Sequence, residues 1–136
     1  MSALLALITE IQALPLHDRV TAINDARLAI HAVSPFKDEP VDCVLWIPSN
    51  MVSANDYNPN SVAPPEMELL RHSISADGYT QPIVTWPHDS QYEVVDGFHR
   101  HRVGKECKDV TARIHGYLPV VAINAERADK SDRIAA

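Results

Sequence analysis

Cysteine is scarce in this sequence, and its two cysteines form no recognisable motif. Cys43 and Cys107 are the only two in 136 residues. They lie far apart, and neither has a cysteine or histidine partner at the spacing of a metal site. The sequence therefore predicts no zinc site, and we interpret both residues as buried, reduced thiols.

Positive charge and long apolar runs are also limited. The 12 Lys and Arg residues against 18 Asp and Glu residues give a net charge of −6, which argues against an unaided, nonspecific nucleic-acid binder. No stretch approaches the ~20 apolar residues of a membrane span. The apolar start of the chain has no basic residues and is interrupted by Glu10, which favours a helix over a signal peptide. We therefore expect a cytoplasmic protein with no membrane partner.

The first 36 residues have a helical pattern. Apolar residues recur at helical spacing over residues 3–13, with Ser2 as a plausible N-cap. After Pro15, a second helix is predicted from His17 to Val33. We expect residues 1–36 to form an N-terminal helical hairpin that packs on the rest of the protein or on a second copy of the chain.

From Pro40 the pattern changes to short strands and helices. The order α-α-β-α-β-β-α-β-β predicts an α+β fold, a small mixed sheet with flanking helices. Residues 55–65 are expected to form a loop that could be a lid, although a surface loop without function is the preferred interpretation. Residues 124–136 are expected to form a charged tail, helical where ordered. The predicted strands are Val41–Ile47, Pro82–Trp86, Tyr92–Val95, Ala112–His115 and Pro119–Ile123, and the predicted helices are 65–74 and Gly97 to about Lys105.

The segment around Gly97 carries the features of an anion-binding turn. Val94 and Val95 predict a strand end directly before Asp96 and Gly97. Glycine permits a sharp turn and a close approach of a ligand to the backbone. The helix that follows presents free N–H groups, which bind anions. An ordinary surface turn shows the same pattern, so the residues alone leave both interpretations open.

Basic residues and a carboxylate lie close to this turn. Arg100 and Arg102 follow Gly97 by three and five residues, and a guanidinium can bind phosphate oxygens in a bidentate fork. Asp96 could hold Mg²⁺ that bridges phosphates, or accept a proton from a nucleophile. Four basic residues fall within nine positions: Arg100, Arg102, Lys105 and Lys108.

Over residues 41–123 the chain resembles the N-terminal domain of ParB-family proteins, within the ParB/sulfiredoxin-like superfamily. It resembles most the stand-alone ParB-like regulators of the IbrB type, in which an aspartate-glycine pair precedes histidine-arginine. Four blocks carry the resemblance in the family's order: Asn58-Pro59-Asn60; Leu69-Leu70-Arg71-His72-Ser73-Ile74; Gly78-Tyr79-Thr80-Gln81-Pro82-Ile83-Val84; and Tyr92-Glu93-Val94-Val95-Asp96-Gly97-Phe98-His99-Arg100-His101-Arg102.

The resemblance implies a site for a nucleoside triphosphate, ATP or CTP, with Mg²⁺. Thr80 and Gln81 would line the pocket. Asp96 would be the metal ligand, and Asp96 and His99 the candidate catalytic residues. The residues expected to meet the phosphates are Gly97, His99, Arg100 and Arg102.

The departures from the family pattern restrict the chemistry. Phe98 stands where sulfiredoxins have their cysteine, so sulfinic acid reduction is not expected, because the thiolate nucleophile is missing. Asp96 is not usual in partition proteins and is closer to the Asp-Gly-His-His-Arg segment of free serine kinases. The third ParB motif, Glu-Asn-x-x-Arg, has only a poor match at residues 124–127.

Three functions follow from these observations. The first is a nucleotide-binding regulatory module, with slow NTPase activity possible, that acts in transcription or DNA-associated regulation through a protein partner or a homodimer. The second is a small-molecule kinase of the free-serine-kinase type. The third is a DNA-binding or nuclease domain, which the acidic net charge disfavours.

Overall fold

The structure, a computed structural model, describes residues 2–54 and 64–124 of the chain. It contains two compact units, residues 1–43 and residues 44–136. Within the described residues, no helix combines the length and the hydropathy needed to cross a membrane.

The first unit is a pair of helices, α1 (Ala3–Gln12) and α2 (Leu16–Ala32). The Ser2 side chain accepts a hydrogen bond from the Leu5 N–H at 3.2 Å, which makes it the N-cap of α1. These helices confirm the predicted helical hairpin. No residue of either helix is buried.

The second unit is built on a five-stranded mixed sheet. Its strand order is β1-β5-β3-β4-β2. β5 runs antiparallel to β1 and parallel to β3, β3 and β4 form an antiparallel hairpin, and β2 adds to β4 in parallel. The strands are β1 (Leu45–Pro48), β2 (Val52–Ser53), β3 (Ile83–His88), β4 (Gln91–Asp96) and β5 (Tyr117–Ala122).

Three helices accompany this sheet: α3 (Pro64–Asp77), α4 (Phe98–Glu106) and α5 (Lys108–Arg113). The first five residues of β5 are all buried, whereas burial alternates along β1. A continuous apolar strand is typical of the centre of a sheet that is covered on both faces. The helices add a cluster in which Ile74 of α3, Val103 of α4, Cys107 and Val110 of α5 pack together.

Gly104 allows α4 to pack closely against the sheet. A side-chain carbon at this position would collide with the Leu118 side chain of β5 and with the Tyr79 hydroxyl. The end of α3 is fastened separately, because the Arg113 guanidinium donates hydrogen bonds to the carbonyls of Ile74 and Ser75, both at 2.8 Å. The close packing at Gly104 sets the position of α4, which carries the candidate site.

The predicted α+β class and the β3–β4 hairpin are confirmed, but two predicted strands need correction. The strand expected over Val41–Ile47 begins only at Leu45, because Pro40–Asp42 forms a turn of 3₁₀ helix. The strand expected over Ala112–His115 is wrong, since α5 runs to Arg113 and is followed by a turn in which His115 and Gly116 have φ of 56° and 79°.

The sequence reasoning also missed β2, which is two residues long. Most of the loop predicted over residues 55–65 lies outside the described residues, and α3 begins at Pro64. The tail predicted from residue 124 lies outside them after its first residue.

Candidate functional site

The candidate site is the junction between β4 and α4. β4 ends at Asp96, α4 begins at Phe98, and Gly97 between them has φ 92° and ψ 31°, in the left-handed region. The His101 N–H donates to the Gly97 carbonyl at 2.9 Å, which is the first helical hydrogen bond. The N-terminal N–H groups of α4, with the positive end of the helix dipole, are therefore presented at the end of a strand.

Asp96 places a carboxylate at this helix start. Its Oδ1 atom accepts a hydrogen bond from the Gly97 N–H at 2.9 Å. The residue is exposed. It is thus held next to the position where an anion would bind, and it is accessible to a cation that bridges the two.

Arg100 folds back over the turn. A side-chain carbon at Gly97 would lie 2.9 Å from the Arg100 Nη2 atom and 3.2 Å from Cζ, so the guanidinium occupies the space that the missing side chain leaves. Nη2 donates a long hydrogen bond of 3.3 Å to the Pro82 carbonyl. The Nε atom is buried and has no hydrogen-bond partner among the residues that the structure describes. The guanidinium therefore retains donor capacity at the turn.

The link between α3 and β3 lies next to the same arginine. The Tyr79 hydroxyl donates to the Arg100 carbonyl at 2.6 Å, and Pro82 accepts from the guanidinium. Burial raises the pKa of Tyr79 to about 12, so it remains a donor at neutral pH. The exposed residues Thr80 and Gln81 lie between these two contacts. The segment that carries Thr80 and Gln81 therefore runs next to Arg100, which is contacted by the residues on either side of that pair.

The Arg102 side chain pairs with a residue farther along α4. Its Nε atom pairs with Glu106 Oε2 at 2.7 Å along α4. It also lines a groove of about 400 Å³ between α3 and α4. His99, the second residue of α4, is half-buried in the first turn. The groove is lined by Pro64, Met67, Glu68, Arg71, Arg102, Val103, Glu106 and Cys107.

His101 lies in α4, one turn beyond Gly97, and the sequence analysis did not single it out. It is buried, and its Nε2 atom lies 3.2 Å from the carbonyl oxygen of Val52 in β2. Burial lowers the pKa of this imidazole, so at neutral pH Nε2 carries the proton and donates to that carbonyl. The signal was available, since His101 and Gly104 lie three residues apart, at helical spacing, and both are buried in α4.

A second polar cluster adjoins the groove, because Cys107 belongs to both. Asp109 accepts hydrogen bonds from the Cys107 thiol at 2.7 Å and from the Ser75 hydroxyl at 2.5 Å. These donors, the thiol first, lower the pKa of Asp109 to about 2. The cluster ties α5 to α3 and makes Cys107 a hydrogen-bond donor.

Metal-ligating side chains do not cluster in residues 2–54 and 64–124, where no group of three or more His, Cys, Asp or Glu residues could hold an ion. Asp96 as a metal ligand therefore stays a prediction. It fits a cation whose remaining ligands are phosphate oxygens and water, as is usual for Mg²⁺ on nucleotides.

Comparison with known proteins gives a family and a close relative. The family model of the ParB N-terminal domain matches residues 36–126. The curated protein "Uncharacterized protein YbdM" of Escherichia coli strain K12 is 54% identical over 125 residues, which are 91% of this chain and 58% of that protein. This chain thus spans less than two thirds of that relative's length.

Three solved structures match part of this chain. The C-terminally truncated chromosome-partitioning protein ParB of Caulobacter crescentus complexed with CTP-gamma-S has a TM-score of 0.48 and 20% identity, over 62% of this chain and 46% of that one. SbnI of Staphylococcus aureus gives 0.45 and 21%, over 64% and 33%. Sulfiredoxin of Arabidopsis thaliana gives 0.48 and 15%, over 68% and 92%.

Proposed function

This chain belongs to the ParB N-terminal domain family, and on that premise we propose that it is a regulatory module that binds ATP or CTP with Mg²⁺ at the Gly97 turn. The observation that carries the proposal is Arg100, whose guanidinium covers Gly97 and keeps a buried Nε donor without a partner among the described residues. A buried, unsatisfied donor of a cation is costly. A phosphate that reached the turn would satisfy it.

The electrostatics of the turn favour a phosphate group. The start of α4 and the Arg100 guanidinium supply positive potential, although the chain as a whole is acidic. Thr80 and Gln81 are exposed beside it and supply polar contacts for the rest of a nucleotide. His99 in the first turn of α4 is a further phosphate contact, and Arg102 becomes one when it leaves Glu106.

Asp96 gives the site its dependence on a cation. Its carboxylate accepts the Gly97 N–H, so a phosphate at the helix start would meet a like charge. Mg²⁺ supplies the positive charge that lets a carboxylate and phosphates share one site. In slow hydrolysis, Asp96 would accept the proton of the attacking water, with His99 beside it. The regulatory signal would pass to a protein partner or a second copy, and DNA contact would be indirect.

Calorimetry with each nucleotide tests the proposal. We expect heat of binding from ATP or CTP with Mg²⁺ for the wild-type chain, and roughly tenfold to a hundredfold weaker binding for Arg100→Ala, because a charge-assisted hydrogen bond is lost. Lys105→Ala is the matched control, since Lys105 is an exposed cation farther along α4. Absence of binding with every nucleotide, or equal affinity of Arg100→Ala and wild type, would contradict it.

A phosphotransferase of the free-serine-kinase type is the second candidate, and the exposed Asp96 carboxylate at the turn favours it. In that case ATP and serine would give phosphoserine and ADP, and Asp96→Asn would abolish product while leaving nucleotide binding measurable. A third outcome is a salt-sensitive gel shift with plain duplex DNA, which would support the DNA-binding alternative instead.

A further inference from the structure

Exposed apolar side chains are concentrated in the N-terminal unit. Among the described residues, ten of the eleven large hydrophobic side chains that are exposed belong to residues 1–43, and the other is Leu69 of α3. The second unit buries its apolar residues in its own core, but the first does not. The ten are Leu4, Leu5, Leu7, Ile8, Leu16, Leu28, Ile30, Val33, Phe36 and Val41.

Helix α1 is the centre of this apolar surface. Leu4, Leu7 and Ile8 lie on one stripe, and Leu5 widens it; the four side chains are 46–62% exposed. Glu10 is the one charged residue of the helix. A helix with so wide an apolar surface is typical of a buried position in the working protein, yet none of its residues is buried here.

Size supports the same conclusion. Isolated helices shorter than ~12–15 residues are marginal in water, and α1 has 10 residues. Folded units near ~40 residues usually need a disulfide, a metal or association with another chain. The 43-residue unit has one cysteine, Cys43, which excludes a disulfide within the unit, and its described residues contain no group of three or more metal-ligating side chains. Packing of its apolar surface is then the remaining source of stability.

We propose that the surface formed by α1 and α2 is a twofold interface with the same surface of a second copy, so that two hairpins make a four-helix bundle. A twofold interface places a patch against itself, so like charges would oppose each other. The Leu4–Ile8 stretch has no charged residue, which suits self-association.

A membrane surface fits the hairpin less well. Helices that lie on anionic membranes are rich in Lys and Arg on their polar face. α1 has neither, and in α2 the two arginines are balanced by Asp18 and Asp25. The attraction to acidic lipid headgroups is therefore absent, whereas the neutral apolar stripe remains available for a second copy.

The test is the mass of the full chain in solution, measured by light scattering without nucleotide. We expect twice the chain mass of 15.1 kDa for wild type and the single mass for the double variant Leu7→Glu/Ile8→Glu. Leu69→Glu, on the exposed hydrophobic of the other unit, is the matched control and should remain a dimer. Because no nucleotide is present, the result is independent of the proposed nucleotide binding.

Other outcomes would overturn the inference. These are a monomeric wild type, a dimer that survives Leu7→Glu/Ile8→Glu, or cosedimentation of the wild type with phosphatidylglycerol vesicles. If circular dichroism shows that the double variant loses its helices, Leu7→Ala takes its place, since alanine keeps the helix. Sedimentation should then show a dimer dissociation constant raised by at least roughly tenfold, and an unchanged constant would overturn the proposal.

Discussion

Gly97 and Arg100 depend on each other at the residue scale. The glycine adopts a φ of 92° that other residues enter at a cost, and its missing side chain leaves the space in which the guanidinium lies. Gly78 has a similar φ of 82° but no atom within 4 Å of where its side chain would be. Substitution at either glycine would strain the backbone, but only substitution at Gly97 would also displace Arg100.

Replacement of each glycine by alanine should separate these two effects. Gly97→Ala and Gly78→Ala should each lower the free energy of unfolding by about 1–2 kcal/mol, because both place a side chain in the left-handed region. Only Gly97→Ala should weaken nucleotide binding, since it displaces Arg100 from the turn. Urea unfolding and calorimetry measure the two quantities, and equal binding by both variants would argue against the role given to Arg100.

His101 makes the stability of the second unit depend on pH. Burial lowers its folded pKa below the ordinary value of 6.5, so the unfolded chain takes up a proton at a higher pH than the folded protein. The contribution of His101 to stability is complete above 6.5 and is lost as the pH falls from there through the folded pKa. Lys105 and Glu106, in the last turn of α4, affect the same ring in opposite directions.

We therefore expect the urea midpoint of the wild type to fall between about pH 7 and pH 5. In His101→Gln, which keeps an N–H donor for the Val52 carbonyl, this fall should be smaller. His72→Gln, at an exposed position on α3, is the control and should follow the wild type. A pH profile of His101→Gln identical to that of the wild type would show that another group titrates.

The turn itself was predictable from the sequence because its determinants are local. A strand end, a glycine and a helix start within nine residues specify the geometry of the Gly97 turn. The partners of the long side chains were not predictable, because they are set by packing. Arg102 pairs with Glu106 one turn along α4, and His101 is directed to β2, a strand too short to recognise.

At the scale of elements, Gly104 is an exception to the rule that replacing a helical glycine by alanine stabilises the protein. In the middle of an exposed helix, Gly→Ala stabilises by roughly 0.5–1 kcal/mol. In α4 the added carbon would collide with Leu118 and the Tyr79 hydroxyl, so the helix would have to move away from β5. The close contact between helix and sheet therefore outweighs helix propensity here.

Gly104→Ala should accordingly destabilise the protein, by about 1–3 kcal/mol for an overpacked contact. It should also weaken nucleotide binding, because Tyr79 holds the Arg100 carbonyl. Thermal unfolding followed by circular dichroism measures the first effect. Lys105→Ala, at the next and exposed position, serves as the control, and a Gly104→Ala protein as stable as the wild type would mean that α4 shifts at little cost.

The wrong strand at Ala112–His115 has a similar physical origin. Those four residues alternate between apolar and polar, which is typical of a strand. The helix α5 forms instead, because contacts outside these four residues stabilise it. The Thr111 hydroxyl donates to the Gly104 carbonyl at 2.8 Å, and Asp109 accepts a hydrogen bond from Ser75 of α3. Neither Gly104 nor Ser75 lies within the four residues whose alternation suggested a strand.

At the scale of the whole molecule, the two units should respond differently to protein concentration. The second unit buries Ile83, Val94 and Val120 completely, so its protection does not require another chain. The hairpin, as inferred above, gains its protection from a second copy. Assembly therefore makes the stability of the hairpin depend on concentration by mass action.

Amide hydrogen exchange measured at two concentrations should show this difference. Exchange in α1 should slow as the concentration of the chain rises, whereas exchange in β5 should stay the same. In Leu7→Glu/Ile8→Glu the α1 amides should exchange fast at both concentrations. Concentration-independent protection of α1 in the wild type would mean that the hairpin is stabilised within one chain.

The position of β5 in the sheet has a consequence for biosynthesis. β5 is the shared neighbour of β1 and β3, and Leu45 pairs with Val120 across more than half of the chain. Such distant pairing closes a long loop and slows folding. While the ribosome is still making residues 117–122, β1 has no strand to pair with, and the unpaired edges stay open to other nascent chains. The sheet of this unit can therefore be completed only after β5 has been synthesised.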